Sequence, residues 1–286
     1  MISALPWWMK MFAKILLSRL PVGYPFWQKF SLFRHGEMDD YSYAWKVLNI
    51  HVQAIQKKNG WTGLELGPGD GLLSAFLAPA LGSQGLTMVD AGDYAHKDVG
   101  RYHYQIHKFL ESFPDLKLPD LTMIHDINKM LSSVGGSYHS QGLSSLHGLK
   151  NNSYNLIFSQ AVLEHVRHNE FKDMMNECHR LLAPSGVMSH IVDFKDHLGG
   201  GLNNMRFSSY FWEKDWFASD SGFYTNRMRL QEIISICEDI GFVIEVDNLQ
   251  RWYSLPIKRS QLAKEFINLT DEDLLISGAH LLMKLK

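Results

Sequence analysis

The segment from residue 63 to residue 71, Gly-Leu-Glu-Leu-Gly-Pro-Gly-Asp-Gly, holds the residues best suited to bind a ligand. Gly67, Gly69 and Gly71 follow a short apolar strand and precede a helix-like run. Glycine permits the positive φ of a tight strand-to-helix turn and exposes bare backbone, while the helix start offers free N–H groups. Glu65 adds a carboxylate, which repels phosphate but suits an ammonium or two hydroxyls. The loop therefore predicts a cradle for a nucleoside that bears an amino acid.

Two further acids follow apolar segments. Asp90 ends a predicted strand over residues 85–90, and Asp126 lies near the end of a predicted third strand over residues 121–127. In doubly wound sheets, an acid at the end of the second strand hydrogen-bonds ribose hydroxyls. Residues 154–160 predict a fourth strand. The G-x-G-x-G spacing differs from the G-x-G-x-x-G of dinucleotide folds, and no Lys-Ser or Lys-Thr pair follows it, which excludes a P-loop.

In this order the segments resemble the class I S-adenosylmethionine-dependent methyltransferases, whose first motif is an acid followed by x-G-x-G-x-G. Residues 161–166, Ala-Val-Leu-Glu-His-Val, look like the signature that follows the fourth strand, and residues 179–188 resemble the family's helix–Pro–Gly–strand segment. The resemblance covers residues 61–193 well. It implies S-adenosylmethionine as cofactor, with the glycines at its methionine moiety, Asp90 at the ribose, and Asp126 with Ile127 at the adenine. The implied cofactor-binding set is Glu65, Gly67, Gly69, Gly71, Asp90, Asp126, Ile127, Ser159 and Gln160.

Strands that alternate with helical runs predict an α/β fold, a doubly wound and mainly parallel sheet of seven strands. We expect an N-terminal helical region over residues 1–58 and the cofactor-binding domain over residues 59–286. Within that domain, the Ser-, Gly- and His-rich residues 128–152 predict an inserted loop, and the Gly- and aromatic-rich residues 196–225 predict a lid over the substrate. A final antiparallel hairpin strand is expected over residues 280–285.

Net charge and cysteine usage bear on the partners of the protein and on its cellular compartment. The net charge of −2 gives no argument for a nucleic-acid partner. Cys178 and Cys237 lie in apolar helical runs, which favours buried free thiols in a cytoplasmic protein over a disulfide. No transmembrane run of the required length is present. Nothing in the sequence sets the oligomeric state.

The N-terminus combines bases with apolar residues at helical spacing. Residues 1–36 hold five bases and no acid, and Pro21 with Gly23 predicts the end of the helix. One interpretation is a helix that packs on its own domain or covers the active site, because most amphipathic helices face a core. The alternative is peripheral contact with a membrane through residues 1–20, because bases beside tryptophans suit an interface. The spaced apolar residues are Trp7, Trp8, Met11, Phe12, Ile15, Leu16 and Leu20.

Methyl transfer to a hydroxyl is helped by a general base near the carboxyl ends of strands four and five. The candidates, in order of preference, are His197, Asp193 and His165. Strand alternation places His190 on the opposite face from Asp193, so Asp193, Asp196 and His197 can converge. A divalent metal there would polarise a sugar hydroxyl, but the spacing is not a zinc pattern, and a metal-free base at Asp193 or His197 is preferred.

Several functions stay open. The favoured one is O-methylation of a sugar or other small-molecule or glycan hydroxyl, because aromatic side chains in the lid suit a sugar ring. Surface polysaccharide synthesis is the setting that we expect for such an activity. Methylation of a quinone, lipid or amine is the alternative. A nicotinamide-dependent oxidoreductase fits the glycine spacing and Glu65 poorly. A degenerate cofactor binder is disfavoured because every cofactor position is intact.

Overall fold

The computed structural model of the chain describes residues 6–19, 37–56, 59–218 and 222–286. Pro21, Gly23 and Leu20 of the N-terminal prediction lie outside these ranges. The helices are α1 Trp7–Ser18, α2 Tyr41–Val52, α3 Leu73–Leu77, α4 Val99–Ser112, α5 Ile127–Ser133, α6 Leu143–His147, α7 His168–Leu181, α8 Ser209–Trp212, α9 Asp215–Ala218, α10 Leu230–Ile240 and α11 Asp271–Leu275. The strands are β1 Trp61–Leu66, β2 Ser83–Val89, β3 Ser137–His139, β4 Tyr154–Gln160, β5 Leu182–Asp193, β6 Phe242–Arg251 and β7 Ile276–Leu285.

The sheet has seven strands in the order β3-β2-β1-β4-β5-β7-β6. Strands β1 to β5 pair in parallel, whereas β7 is antiparallel to both β5 and β6. The predicted doubly wound, mainly parallel sheet and its antiparallel last strand are therefore confirmed. The strand order reverses between β1 and β4, and ligands of open α/β sheets bind in the crevice at the carboxyl ends of the strands beside such a reversal.

Apolar side chains cover both faces of the sheet. On one face α2 and α4 contribute Leu48 and Phe109, which pack in the same cluster as Phe158 of β4. On the other face α7 and α10 contribute Phe171 and Ile233 to a second cluster. Helix α2 thus belongs to the core of the sheet, although it precedes the domain boundary expected at residue 59. Both cysteines are free and buried in the second cluster, as the sequence predicted.

The predicted third strand over residues 121–127 is wrong. Asp120 Oδ1 accepts hydrogen bonds from the backbone N–H and the hydroxyl of Thr122, which closes a local turn instead of a strand ladder. Met123 is 83% exposed, so this run lacks the half-buried face of a strand. Asp126 caps α5 by accepting from Lys129 N at 2.8 Å, and Ile127 opens that helix. The side-chain hydrogen bonds of the turn outweighed the apolar composition.

The predicted inserted loop over residues 128–152 is also wrong, because this stretch contains most of α5, the true third strand β3, and α6. Its glycines are structural. Gly135 has φ +69, and a Cβ there would lie 2.1 Å from the carbonyl oxygen of Gln84. The glycines are there because two backbones approach closely beside β2. From residue types alone, such a glycine-rich stretch is easily mistaken for a loop.

Helix α1 packs on the segment that was predicted as a lid. Trp7 meets Phe207 edge-to-face with ring centroids 6.1 Å apart, and Lys14 Nζ donates to the carbonyl of Gly222 at 2.9 Å. The lid segment itself forms α8, α9 and an aromatic cluster around the buried Trp212. The opposite side of α1 exposes Trp8, Phe12 and Leu16 to solvent. No helix within the described ranges is long and apolar enough to cross a bilayer.

Candidate active site

The glycine turn lies at the carboxyl end of β1, beside the point where the strand order reverses. Gly67 and Gly69 have φ values of +66° and +67°, which side chains rarely adopt. A Cβ at Gly67 would lie 2.6 Å from Val162 Cγ2, so the turn is in direct contact with the segment that follows β4. Glycine is required at position 71 for a different reason, because a Cβ there would lie 2.1 Å from the carbonyl oxygen of Met38.

Glu65 supports the turn from below. Its side chain is 2% exposed and accepts a hydrogen bond from the hydroxyl of Ser74 on α3. Burial raises the pKa of the Glu65 carboxyl to about 8. The residue therefore joins β1 to α3 as a buried, hydrogen-bonded carboxyl group.

Asp90 follows β2, and its carboxylate is hydrogen-bonded to the glycine turn. Its Oδ2 accepts from Gly69 N at 2.9 Å and its Oδ1 from Ala91 N at 2.7 Å. Burial raises the pKa of the Asp90 carboxyl to about 6, because the two N–H groups offset only part of the lost hydration. Each carboxylate oxygen has a second lone pair, so the pair can still accept from two neighbouring hydroxyls.

The other predicted cofactor residues divide into two groups. Gln160 ends β4 and lines a cavity of about 440 Å³ at the carboxyl edge. Ser159 is buried, and its hydroxyl is paired with His190 Nδ1 at 2.7 Å on the other side of the strand. Asp126 and Ile127 do not follow a strand. The loop that follows β3, beginning at His139, occupies the position from which those two residues were expected to act.

The candidate bases lie where β4 and β5 end. His165 sits on the turn after β4, and its Nδ1 lies 3.0 Å from the carbonyl oxygen of Tyr224. His197 follows β5, and the two imidazole rings meet edge-to-face with centroids 4.7 Å apart. The carboxyl of Glu164, which is 3% exposed, completes the group. Burial lowers the pKa of His197 to about 3, with His165 and Lys14 as further causes, and burial raises that of Glu164 to about 8.

Asp193 and Asp196 do not converge on this group in the manner expected from the sequence. Asp193 lines the cavity and pairs with Lys195 Nζ at 3.2 Å. Asp196 is buried, and its carboxylate accepts from the N–H groups of Leu198, Gly199 and Asn203. Asp196 therefore organises the loop after β5. His190 is fully buried and faces away from Asp193, as strand alternation predicted.

Comparison with known proteins identifies the chain. A family model described as a methyltransferase domain matches residues 41–246, well over half of the sequence. The chain belongs to the class I S-adenosylmethionine-dependent methyltransferases. It is an enzyme of that group, and S-adenosylmethionine is its cofactor. No curated protein matches the sequence.

Several solved protein structures are similar to this one at low sequence identity. Phosphoethanolamine N-methyltransferase 2 of Haemonchus contortus, solved with phosphomonomethylethanolamine and S-adenosylhomocysteine, is 15% identical over 85% of this chain and 52% of its own, with a TM-score of 0.47. This methyltransferase thus spans about half the length of that protein. The YcgJ protein of Bacillus subtilis is 12% identical over 84% of this chain and 99% of its own, also with a TM-score of 0.47. A methyltransferase from Mesorhizobium loti is 15% identical over 84% and 96%, with a TM-score of 0.43.

The residues at the carboxyl edge of this methyltransferase fit the cofactor. Gly67 and Gly69 present bare backbone at the start of α3, and the Asp90 carboxylate is placed one strand away for a ribose diol. Gln160 ends β4 on the other side of β1, and its Oε1 is buried near His51 without a hydrogen bond of good geometry among the described residues. These groups would hold the methionine moiety and the ribose, and the bound sulfonium would supply an activated methyl carbon.

A chain of hydrogen bonds that sequence reasoning missed borders the cavity of this methyltransferase. Asp247 Oδ2 pairs with His280 Nδ1 at 2.9 Å, and His280 Nε2 pairs with Ser189 Oγ at 2.8 Å. Ser189 Oγ also pairs with His51 Nδ1 at 2.8 Å. The members come from four elements far apart in sequence, so no spacing could reveal them. The hydrogen bonds hold Asp247 and His280 in place in the lining of the cavity.

Replacing Asp90 with alanine is expected to raise the dissociation constant for S-adenosylmethionine at least tenfold. The change removes two charge-assisted hydrogen bonds, each worth about 1.5–3 kcal/mol. Because the Asp90 carboxyl protonates as the pH falls through about 6, the wild-type affinity should also weaken below that pH. Calorimetric titration measures the dissociation constant of the variant and the pH dependence of the wild-type affinity. Asp93→Ala is the matched control, because Asp93 lies on the same loop but is exposed and paired with Lys97. An unchanged dissociation constant for Asp90→Ala would remove Asp90 from the cofactor site.

Proposed function

We propose that this methyltransferase O-methylates a hydroxyl of a sugar or another small polar acceptor, including a glycan. The lining of the cavity at the carboxyl edge is the observation that carries this proposal. Besides Gln160 and Asp193, it includes the side chains of Lys195, Asp247, Asn248, Gln250 and His280. Ile50, Ala161, Ile191 and Val192 also line the cavity. The carboxylates, amides and ammonium among the lining residues offer hydrogen bonds to several hydroxyls, and an acceptor without hydroxyls, such as a quinone or a lipid tail, would leave these groups unpaired.

The position of the cavity supports the same acceptor. Gln160 borders both the cavity and the crevice beside the glycine turn, so an acceptor in the cavity would approach the methyl group from the β4–β5 side. In-line displacement needs little beyond this positioning, together with a group that takes the hydroxyl proton. Asp193 lies on the wall of the cavity and can take that proton. His197, the first choice from the sequence, is a weaker proton acceptor because its pKa is lowered to about 3.

An acceptor screen tests the proposal. The chain is incubated with S-adenosylmethionine that carries a ¹³C-methyl group, in separate reactions with polyols, monosaccharides, nucleotide sugars, quinols and phosphorylated amines. We expect product from a hydroxyl-rich acceptor, with the carbon chemical shift of an O-methyl group. Turnover with an amine or a quinol, and with no hydroxyl-rich acceptor, would overturn the proposal.

Peripheral membrane contact through residues 1–20 is a separate proposal, and one observation supports it. Helix α1 packs Trp7, Met11 and Ile15 inward while Trp8, Phe12 and Leu16 are 55%, 68% and 60% exposed. These three exposed residues, at positions i, i+4 and i+8, form one stripe along the helix. A stripe of this kind can enter the headgroup region of a bilayer.

Replacing Trp8, Phe12 and Leu16 together with glutamine is expected to abolish co-sedimentation with anionic lipid vesicles without changing cofactor affinity. The three side chains face solvent, so the packing of α1 on the lid should survive. Lys14→Gln is the control, because Lys14 donates to the carbonyls of His197 and Gly222 on the inward side. Equal sedimentation of the wild type and the triple variant would eliminate the membrane proposal.

A further inference from the structure

Three side chains that can ligate a metal ion meet at the carboxyl ends of β4 and β5. Glu164 and His165 are neighbours on the turn after β4, and His197 follows β5, which pairs with β4 in parallel. One ligand atom from each lies within 4.8 Å of the other two. Ligands on one zinc ion at about 2.0–2.2 Å lie roughly 3.4 Å apart, so the three ligand atoms must draw together by at most about 1.4 Å.

Two of the three side chains have buried atoms that make no hydrogen bond of good geometry within the described ranges. These atoms are both carboxylate oxygens of Glu164 and Nε2 of His197. A buried polar group without a partner costs free energy, and a carboxyl group with two such oxygens is a large cost. Native proteins keep such groups where a ligand or ion completes them.

The rest of the turn is held in place by hydrogen bonds. Asn226 Nδ2 donates to the carbonyls of Leu163 and Val166 at 2.8 and 3.0 Å, and Asn226 N donates to the carbonyl of Glu164 at 2.7 Å. His165 Nδ1 lies 3.0 Å from the carbonyl of Tyr224, which requires a proton on Nδ1 and leaves the lone pair on Nε2. A backbone carbonyl that orients a histidine through its other nitrogen is the usual outer contact of metal-ligating histidines.

We propose that Glu164, His165 and His197 form a binding site for a divalent transition-metal cation such as Zn²⁺ or Mn²⁺. Two imidazoles and one carboxylate suit these ions better than Mg²⁺ or Ca²⁺, which prefer oxygen ligands. Three protein ligands leave coordination positions open, which is the arrangement of a catalytic rather than a structural site. The sequence predicted no metal here, and Glu164 was not among its candidates.

The surrounding charges come from several elements. Lys14 of α1 and Lys195 of the post-β5 loop are cationic. Two carboxylates lie nearby, those of Asp193 at the end of β5 and of Asp196 on the post-β5 loop. Lys195 is already paired with Asp193, and the Lys14 ammonium bonds the His197 carbonyl. The two aspartates therefore offset the two lysines. The Glu164 carboxyl would release its proton on binding a cation and would then supply the charge that the cation meets directly.

The metal site would have a role in the proposed O-methylation, and this role rests on that proposal. A cation in open coordination would bind the acceptor hydroxyl, lower its pKa and orient it toward the cofactor. The hydroxyl proton then passes to Asp193, the acceptor oxygen bonds to the methyl carbon, and the C–S bond breaks with its electron pair remaining on sulfur. The weak basicity of His197 is no obstacle in this role, because a metal ligand must be a neutral imidazole.

Metal binding can be measured without knowing the acceptor. The full chain is stripped with a chelator, desalted, and titrated with ZnCl₂ by calorimetry and with MnCl₂ by electron paramagnetic resonance. We expect one site in the wild type, and an affinity about tenfold weaker or more in Glu164→Gln and in His197→Ala. Glu164→Gln keeps the size of the side chain, and a thermal melt confirms that it folds. His147→Ala, which removes an exposed histidine of α6, should bind as the wild type does.

The outcomes separate the two proposals. Absence of binding, or equal binding in the wild type, Glu164→Gln and His197→Ala, would overturn the metal site. Tight binding that depends on Glu164 and His197 would establish the site even if no hydroxyl acceptor is methylated, and only the O-methylation proposal would then fail. Turnover of a hydroxyl acceptor that is lost with the chelator and restored by Zn²⁺ or Mn²⁺ would support both.

Discussion

Replacing Gly69 with valine is expected to weaken binding of S-adenosylmethionine by about a hundredfold or more, which corresponds to roughly 2.7 kcal/mol. Gly69 has φ +67, and a β-branched side chain in that region costs about 1–3 kcal/mol of backbone strain. Its N–H also donates to Asp90 Oδ2, so relaxing the strain would move the aspartate that we expect to bind the ribose. A valine side chain would in addition project from the backbone against which we expect the methionine moiety to lie.

The measurement is a calorimetric titration with S-adenosylmethionine, accompanied by a thermal melt. Gly200→Val is the matched control, because Gly200 has φ +76 but a Cβ there would meet no atom within 4 Å. It introduces the same kind of strain in the loop after β5 and should leave cofactor affinity unchanged. Wild-type affinity in Gly69→Val would show that the glycine turn does not cradle the cofactor.

Most of the sheet could be predicted because its strands are continuous apolar runs that end in turn residues. β4 was predicted with its observed bounds, and β2 was misplaced by only two residues at its start. Buried parallel strands give this signal whatever lies around them. The third strand has only three residues, none of them fully buried, and is flanked by Gly135 and Gly136. A strand that short carries no periodicity, and an apolar run upstream took its place.

The positions of the glycine turn and of Asp90, which we expect to hold the cofactor, could be predicted for a related reason. These residues lie on one contiguous turn and at the first residue after β2, so sequence spacing and spatial position coincide. Asp126 and Ile127 could not be placed in this way, because the third strand was misassigned. The acceptor half is assembled from elements far apart in the chain. Glu164 was part of a recognised motif, yet its burial beside His197 depends on the pairing of β4 with β5. The hydrogen-bonded chain from Asp247 to His51 depends on two strand pairings, β6 with β7 and β7 with β5, and on the packing of α2 against the sheet.

The fold thus divides the chemistry between two sides of β1. On the β2 side, Asp90 has a raised pKa and two backbone donors, which suits it to accept from hydroxyls of a ribose. On the β4–β5 side, both carboxylate oxygens of Glu164 and Nε2 of His197 are buried without a hydrogen bond of good geometry among the described residues, which suits them to meet a cation rather than to move protons. Asp193, half-buried on the wall of the cavity, is the carboxylate left to take a proton from the acceptor.

Replacing Asp193 with asparagine is expected to lower kcat for a hydroxyl acceptor about a hundredfold, within the usual range for loss of a general base. Asparagine keeps the size and hydrogen bonds of the side chain but cannot accept the proton. The affinities for S-adenosylmethionine and for Zn²⁺ should stay at their wild-type values, because Asp193 is not assigned to hold either group. Steady-state kinetics, with both affinities measured by calorimetry, test this combination.

Variants of the neighbouring residues decide between the candidate bases. His197→Ala and His165→Ala should also lower kcat, but together with metal affinity, and excess metal should restore part of their turnover. Asp247→Asn tests whether the other carboxylate in the lining of the cavity, which is paired with His280, is the base. If Asp193→Asn keeps near-full turnover and Asp247→Asn loses most of it, the role of general base belongs to the Asp247–His280 pair. Near-full turnover in all four variants would mean that the acceptor needs no base, and that proximity to the methyl group is sufficient.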